Sequence, residues 1–334
     1  MNGVASERLW AHGHALDHPA TVLLLSIILV AFALAVGGIG ALSLSSRIKP
    51  ELKRELRQRT VSWSILVVLL GVPVLAGAGW TMLAVLVIAL LCYREYARAT
   101  GLFRERAVSA AVVVAILFIF FATVDHWYGF FLALVPLGVV VIAAISIPLD
   151  RPTGYIQRVG LGVFGYLLFG VALGHLAFIA NDGDYRPVIL LILIAVGLND
   201  VFAFTVGKIV GGRKLLPATS PNKTVSGSIG ALMLTTTFVS VVAGPVFAGT
   251  ALESIPLRIG LGVIVALLGQ LGDLMLSSIK RDLGIKDMGT VIPGHGGVLD
   301  RFNSLLLVAP AVFHYIRYFN GIGLDQPARI LSGG

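Results

Sequence analysis

Charge and cysteine are both scarce in this sequence. Asp, Glu, Lys and Arg make up 13% of its 334 residues, about half of the roughly 25% with which a soluble domain coats its surface. That shortage argues against a set of soluble domains, and the abundance of apolar residues argues equally against a disordered chain. The single cysteine, Cys92, sits in an apolar run, so an intrachain disulfide is impossible and a disulfide-stapled secreted scaffold is excluded. Cys92 reads as a small buried apolar side chain. No repeat of about 20–50 residues and no low-complexity tract stands out.

What is present is apolar length. Hydrophobic residues reach 57% and the mean hydropathy is +0.93. Runs of roughly 20 apolar residues, the length that crosses a bilayer as a helix, fall near 21–42, 61–78, 80–96, 107–124, 128–147, 160–180, 187–207, 225–248, 256–279 and 302–319. The last is the weakest, because Pro310, His314 and Arg317 interrupt it. A transmembrane β-barrel would alternate apolar and polar residues, whereas Val22–Val36 and Val108–Phe121 are apolar all round. The expectation is an all-α, polytopic integral membrane protein of about 10 transmembrane helices, with a range of 8–10. The first run is too long for a signal-peptide core and follows no basic cluster, so it is expected to remain as a span.

The formal net charge of +8 raises the question of a nucleic-acid partner, and the distribution of the charge answers it. Of the 25 Lys and Arg residues, six lie in 43–60, four in 94–106, two in 148–159, four in 208–224 and four in 280–301. These 20 occupy alternate loops, leaving Arg8, Arg186, Arg258, Arg317 and Arg329 for the other side. The positive-inside rule makes the 20-residue side cytoplasmic, with both termini outside if all ten spans are real. Basic residues spread over five loops with no recognisable binding module do not make a nucleic-acid site. The organisation expected is a tail at 1–20, membrane helices over 21–180, a C-terminal catalytic membrane domain over 181–320 with cytoplasmic loops 208–224 and 280–301, and a tail at 321–334. A bacterial inner membrane is the expected location.

Three weaker features have two readings each. Residues 43–60 form either an amphipathic helix from Pro50 with Leu52 and Leu56 on one face, lying on anionic lipid, or a solvated topogenic loop. Gly170 and Gly174 stand at GxxxG spacing, which points to close helix contact and to a homodimer if the partner helix belongs to a second subunit. His12, His14, Asp17 and His18 read as a terminal tail in preference to a chelate.

Ionisable residues inside spans are costly and default to functional roles, which singles out Asp200 and Asp273. At helical spacing Asp200, Ala203, Phe204 and Gly207 share a face, expected to turn the carboxylate into the bundle. Asp273, Ser277 and Lys280 fall at i, i+4 and i+7, a polar stripe ending at the cytoplasmic boundary. Two cytoplasmic loops complete the constellation. Gly211–Lys214 with Thr219–Gly227 combines glycines, hydroxyls and cations, the components of a phosphate cradle. Lys280–Asp287 with Pro293–Asn303 sets Lys, Arg, His and glycines beside carboxylates. Neither loop matches Walker A or GxGxxG. Carboxylates mixed with cations suit a metal held against phosphate, since Mg²⁺ takes one or two carboxylates plus phosphate oxygens.

The run Ser277-x-x-Lys280-Arg281-x-x-x-x-Lys286-Asp287-x-Gly289-x-x-Ile292-Pro293-Gly294-His295-Gly296-Gly297-x-x-Asp300-Arg301 closely resembles the signature of phosphatidate cytidylyltransferases, the CDP-diacylglycerol synthases. Asp200-x-x-Ala203-Phe204-x-x-Gly207-Lys208 and Ser220-Pro221-Asn222-Lys223-Thr224 resemble a second block of that family, so the likeness covers about residues 195–305. Two positions depart from the pattern: Val225-Ser226-Gly227 stands where the family usually has Trp-Glu-Gly, and Asn303 where it has Asp. The departures mark a divergent member and leave the substrate open.

The resemblance implies a membrane nucleotidyltransferase that joins CTP and phosphatidate into CDP-diacylglycerol and pyrophosphate. It assigns Mg²⁺ to Asp273 and Asp300, with Asp200 as a further ligand or orienter and room for a second cation. Lys223, Lys280, Arg281 and Arg301 would clamp phosphates, and Gly294, Gly296 and Gly297 would let backbone approach the nucleotide. Lys208, Ser220, Asn222, Thr224, Ser277, Lys286 and Asp287 would complete substrate binding. His295 would bond phosphate or nucleotide without acting as a base, because a phosphate monoester is already ionised at neutral pH. A CTP-dependent polyprenol or phytol kinase would release CDP in place of pyrophosphate. An ion-coupled transporter would use Asp200 and Asp273 as intramembrane ion sites, a use that does not account for the glycine-rich and Ser-Pro-Asn-Lys loops.

The charge split generates a direct test. Reporter fusions after Lys214 and after Lys286 should both report the cytoplasm, and a periplasmic signal from either would overturn the orientation.

Overall fold

A computed structural model describes residues 9–10, 13–44, 64, 67–148, 150–289, 296–324 and 326–333. Most of the basic segment 43–60, together with His12, Gly294 and His295, lies outside the described residues.

All ten expected apolar segments contain helix. They are α1 (Pro19–Leu44), α2 (Val67–Ala76), α3 (Ala78–Ala99), α4 (Arg106–Val124), α5 (Tyr128–Ala144), α6 (Tyr155–Ile179), α7 (Tyr185–Val210), α8 (Val225–Val246) and α9 (Ile255–Asp282). A single turn, α10 (Leu299–Phe302), precedes the tenth, α11 (Leu305–Asn320). Seven are long and apolar enough to cross a membrane, while α2, α5 and α11 are shorter. The chain is therefore an all-α integral membrane protein.

Helix α6 runs through the middle of the first half, touching α3, α4 and α5. Its centre, Tyr166–Ala172, widens into a π-helical stretch, and the Tyr166 hydroxyl donates to the Leu134 carbonyl at 2.7 Å. Lipid tails are as apolar as leucine, so packing in the bilayer depends on close van der Waals approach. The glycines of α6 permit it: a Cβ at Gly170 would stand 3.0 Å from Ile116 and one at Gly174 only 2.5 Å from Ile119. The GxxxG pair thus packs inside the chain, against α4 and α5, and gives no support to the inter-subunit reading.

In the second half, α8 lies between α7 and α9, and polar clasps join the three. Buried Asn199 donates to the Ala266 carbonyl at 3.2 Å and accepts from Thr235 Oγ1 at 3.0 Å. Gln270 of α9 exchanges hydrogen bonds with Ser228 of α8. Away from water such bonds contribute roughly 0.6–2 kcal/mol each, and they fix helix rotation just beside Asp200 and Asp273. At 1.5 Å per residue the 28 residues of α9 extend about 42 Å, beyond the roughly 30 Å hydrocarbon layer, so its C-terminal polar stripe reaches the interface.

Segment 208–224 differs from the loop expected. Helix α7 continues through Lys208 to Val210, and β1 (Lys214–Leu216) pairs antiparallel with β2 (Ser220–Thr224), Lys214 opposite Thr224 and Leu216 opposite Ser220. The only strand pairing among the described residues is this hairpin. Thr224 then caps α8, its Oγ1 accepting from the Gly227 amide at 3.1 Å.

Gly174→Val should lower Tm in detergent, by the equivalent of about 1–3 kcal/mol of overpacking, without changing oligomeric state. A loss of oligomer at unchanged Tm would restore the inter-subunit reading.

Candidate functional site

The polar ends of α7 and α9, the hairpin and the α10 turn converge. Asp273 pairs with Lys223, carried by β2, and its other oxygen accepts from the Asn303 amide nitrogen at 2.6 Å. Asp200 lies within electrostatic reach of Asp273, Lys223 and Arg301. The residue is accessible, yet its carboxylate stands among Asp273, Lys223 and Arg301 of the neighbouring elements, so it turns toward them while remaining open to solvent. Ala203 and Gly207 do meet Gly227 of α8, where a Cβ on Gly227 would stand 3.0 Å from the Gly207 Cα. Asp200, Phe204 and Lys208 instead form the accessible edge of α7. The Lys208 ammonium rests 5.7 Å from the centre of the Phe204 ring.

Asp300 is the second centre. Its side chain is 4% exposed and accepts from Lys280 Nζ at 2.8 Å. Its other oxygen accepts from the Met288 and Gly297 amides, each at 2.9 Å. Gly296 has φ +81, and a Cβ there would stand 2.9 Å from Asp300 and 3.3 Å from Asp287, so the positive φ and the crowding both select glycine. Arg281 donates from Nε to the Thr219 carbonyl at 3.3 Å, tying α9 to the hairpin turn. Ser277 is half-buried on the Asp273 stripe, whereas Lys286, Asp287 and Asn222 are exposed and Ser220 is half-buried at the hairpin.

Two features escaped the sequence reading. Ser226, at the position where the signature departs, donates to the Gly211 carbonyl and bonds Thr224 Oγ1, so it closes the base of the hairpin. More important is Glu95 near the end of α3. It is 5% exposed, and its two oxygens accept from the Val298 and Leu299 amides at 2.9 Å each. Desolvating a carboxylate costs several kcal/mol, which two charge-assisted bonds of about 1.5–3 kcal/mol each offset. An acid near a helix C-terminus also opposes its own helix dipole; that mismatch was the available signal.

The donor set is compatible with a hard cation. Among the described residues no three His, Cys, Asp or Glu side chains gather at metal-binding spacing, so any such ion would rely on one or two carboxylates, water and substrate oxygens, the usual habit of Mg²⁺. Asp200 and Asp273 fit that role. Asp300, with both oxygens engaged, fits only by sharing the oxygen that now accepts from Lys280.

Fold and site together define an integral membrane protein that gathers carboxylates and cations at one end of its C-terminal helices, chemistry suited to phosphate-bearing substrates. The chain belongs to the cytidylyltransferase family, whose profile matches residues 57–319. It is 31% identical over 252 residues to the uncharacterized protein YnbB of Escherichia coli, covering 73% of this chain and 82% of that one. It is 40% identical over 140 residues to the phosphatidate cytidylyltransferase of Staphylococcus haemolyticus, covering 42% of this chain and 53% of that one. With the phosphatidate cytidylyltransferase of Rickettsia bellii it shares 37% over 168 residues, 48% of this chain and 70% of that one. The chain thus spans about half the length of the staphylococcal relative.

The geometry separates two substitutions that leave similar side-chain volumes. Asp300→Asn should cost about 2 kcal/mol of stability through the loss of charge-assisted bonds in a buried site. Asp273→Asn, at a half-exposed position, should leave Tm within a degree or two. Thermal unfolding of both variants in detergent checks this, and equal Tm values would contradict it.

Proposed function

We propose that this protein is a CTP:phosphatidate cytidylyltransferase, forming CDP-diacylglycerol and pyrophosphate. The observation that carries the reading is the Lys223–Asp273–Asn303 chain, with Asp200 and Arg301 in electrostatic reach. It unites carboxylates and cations along the C-terminal halves of two membrane helices.

The chemistry requires a lipid phosphate oxygen to attack the α-phosphorus of CTP while pyrophosphate departs. Two polyanions must meet, so neutralisation and positioning supply most of the acceleration. Lys223 pairs with Asp273, and Lys223 and Arg301 both act on Asp200; these cations would take the phosphates. Lys280, fixed by Asp300, and Arg281, beside the hairpin turn, would hold the departing pyrophosphate. Asp200 and Asp273 would hold Mg²⁺, with Asp300 as a further candidate; when bound, the ion would offset phosphate charge and polarise the α-phosphate. Gly296, half-buried at the turn, would let backbone approach the nucleotide, while Gly297 is buried against Glu95 and gives its amide to Asp300. The lipid tails would remain in the bilayer, since Asp200 and Asp273 lie inside the membrane helices, in their C-terminal halves. The family signature and the relatives named for this activity support the reading, and a homodimer remains an expectation without structural support.

Ser226 and Asn303 favour one further possibility, a different phosphate-bearing lipid acceptor, because both lie at the departures and both bond within the site. Purified protein with Mg²⁺, labelled CTP and phosphatidate should release CDP-lipid and pyrophosphate in equal amounts. Chelation should stop the reaction, and Asp273→Asn should slow it at least about 100-fold. Turnover only with another lipid phosphate would transfer the reading to that acceptor. CDP as product would replace it with a kinase.

A further inference from the structure

The signature segment that leaves α9 and returns at α10 is held at its described ends by two carboxylates from different parts of the chain. Asp300 takes the amides of Met288 and Gly297. Glu95, some 200 residues earlier in sequence, takes those of Val298 and Leu299. The two anchors occupy one neighbourhood, since Cys92, one helical turn before Glu95, lies within electrostatic reach of both. The fit around Glu95 is close. A Cβ at Gly289 would stand 2.5 Å from its Oε1 and 2.7 Å from its Cδ, and one at Gly297 would stand 2.8 Å from Cδ. Glycines of the signature therefore enclose a carboxylate that the signature does not contain.

We infer that Glu95 is a positioning residue for nucleotide binding: through the Val298 and Leu299 amides it sets where Gly296, Gly297 and Asp300 stand, and through Asp300 where Lys280 presents its ammonium. It does not touch the substrate. The inference rests on the cytidylyltransferase reading, because the group positioned is the site proposed for CTP phosphate. A carboxylate is required by the bonding pattern. Both oxygens accept from an N–H, and glutamine would turn one acceptor into a donor facing another donor. A residue that merely supported the fold would change how much enzyme is folded, leaving the affinity of the folded fraction for CTP unchanged. A positioning residue changes that affinity and leaves lipid binding alone.

The test uses the full chain in detergent with Mg²⁺, measuring KM and direct binding for CTP and KM for the lipid phosphate. Glu95→Gln should raise the CTP KM and Kd about tenfold or more, the effect of one lost charge-assisted bond, with the lipid KM within about twofold. Gly289→Ala should do the same by pushing on the carboxylate. Shortening the acid in that background, Glu95→Asp with Gly289→Ala, should recover part of the loss, a non-additivity expected only of residues in contact. An unchanged CTP KM in Glu95→Gln, whether kcat is intact or falls with the folded fraction, would overturn the inference. If Glu95→Gln does not fold, Gly289→Ala and the double variant decide by the same criterion. Wild-type protein that neither binds nor turns over CTP would overturn the functional reading itself, and this inference with it.

Discussion

A carboxylate near a membrane boundary has to be answered by a cation or by hydrogen-bond donors, and the C-terminal half of this protein is arranged around that requirement. Asp273 is answered by Lys223 and Asn303, Asp300 by Lys280 and two amides, and Glu95 by two further amides. In each case a partner comes from a different element, so satisfying the charge also fixes the tertiary arrangement. The hairpin is held against α9, the α10 turn is held against α3, and the polar clasps of Asn199 and Gln270 keep α7, α8 and α9 from rotating. Charge neutralisation and geometry are one constraint here.

The same pairings set a condition on any ligand. Lys223 and Lys280, cations assigned to phosphate, each already have a carboxylate partner. A phosphate arriving at Lys223 must compete with Asp273, and a cation arriving at Asp273 must compete with Lys223. Exchange of partners in which cation and phosphate enter together leaves no charge unpaired at any stage, whereas either entering alone would. On the proposed function, the arrangement would thus favour a metal–nucleotide complex over its separate components.

How much was legible in the sequence follows from what each residue needs. Asp200 and Asp273 stood out because an acid inside an apolar run has few structural excuses, and Asp300 and Lys280 because they belong to a long, specific signature. Each of the ten apolar segments contains helix among its described residues, since run length reports directly on bilayer thickness. Glu95 left only a faint trace, an acid near a helix C-terminus between Arg94 and Arg98 that looks like one charge of a basic loop, while its partners are backbone amides, which leave no trace in residue identity. The glycines of α6 announced close packing without saying against what, because spacing defines a face and not its neighbour. The hairpin was hidden for a related reason, three- and five-residue strands being too short to show alternation.

The distance along the chain between Glu95 and its partners has a consequence for biosynthesis. Chains enter membranes from the N-terminus onward, so α3 is made long before Val298 and Leu299 exist. Throughout that interval its carboxylate lacks the Val298 and Leu299 amides, and burying it without donors would cost several kcal/mol. Helix α3 is then best kept shallow, its last turn in contact with water, until α10 arrives to cover it. The nascent protein would thus carry an internal mark of its own incompleteness, erased only when nearly all of the chain has been made.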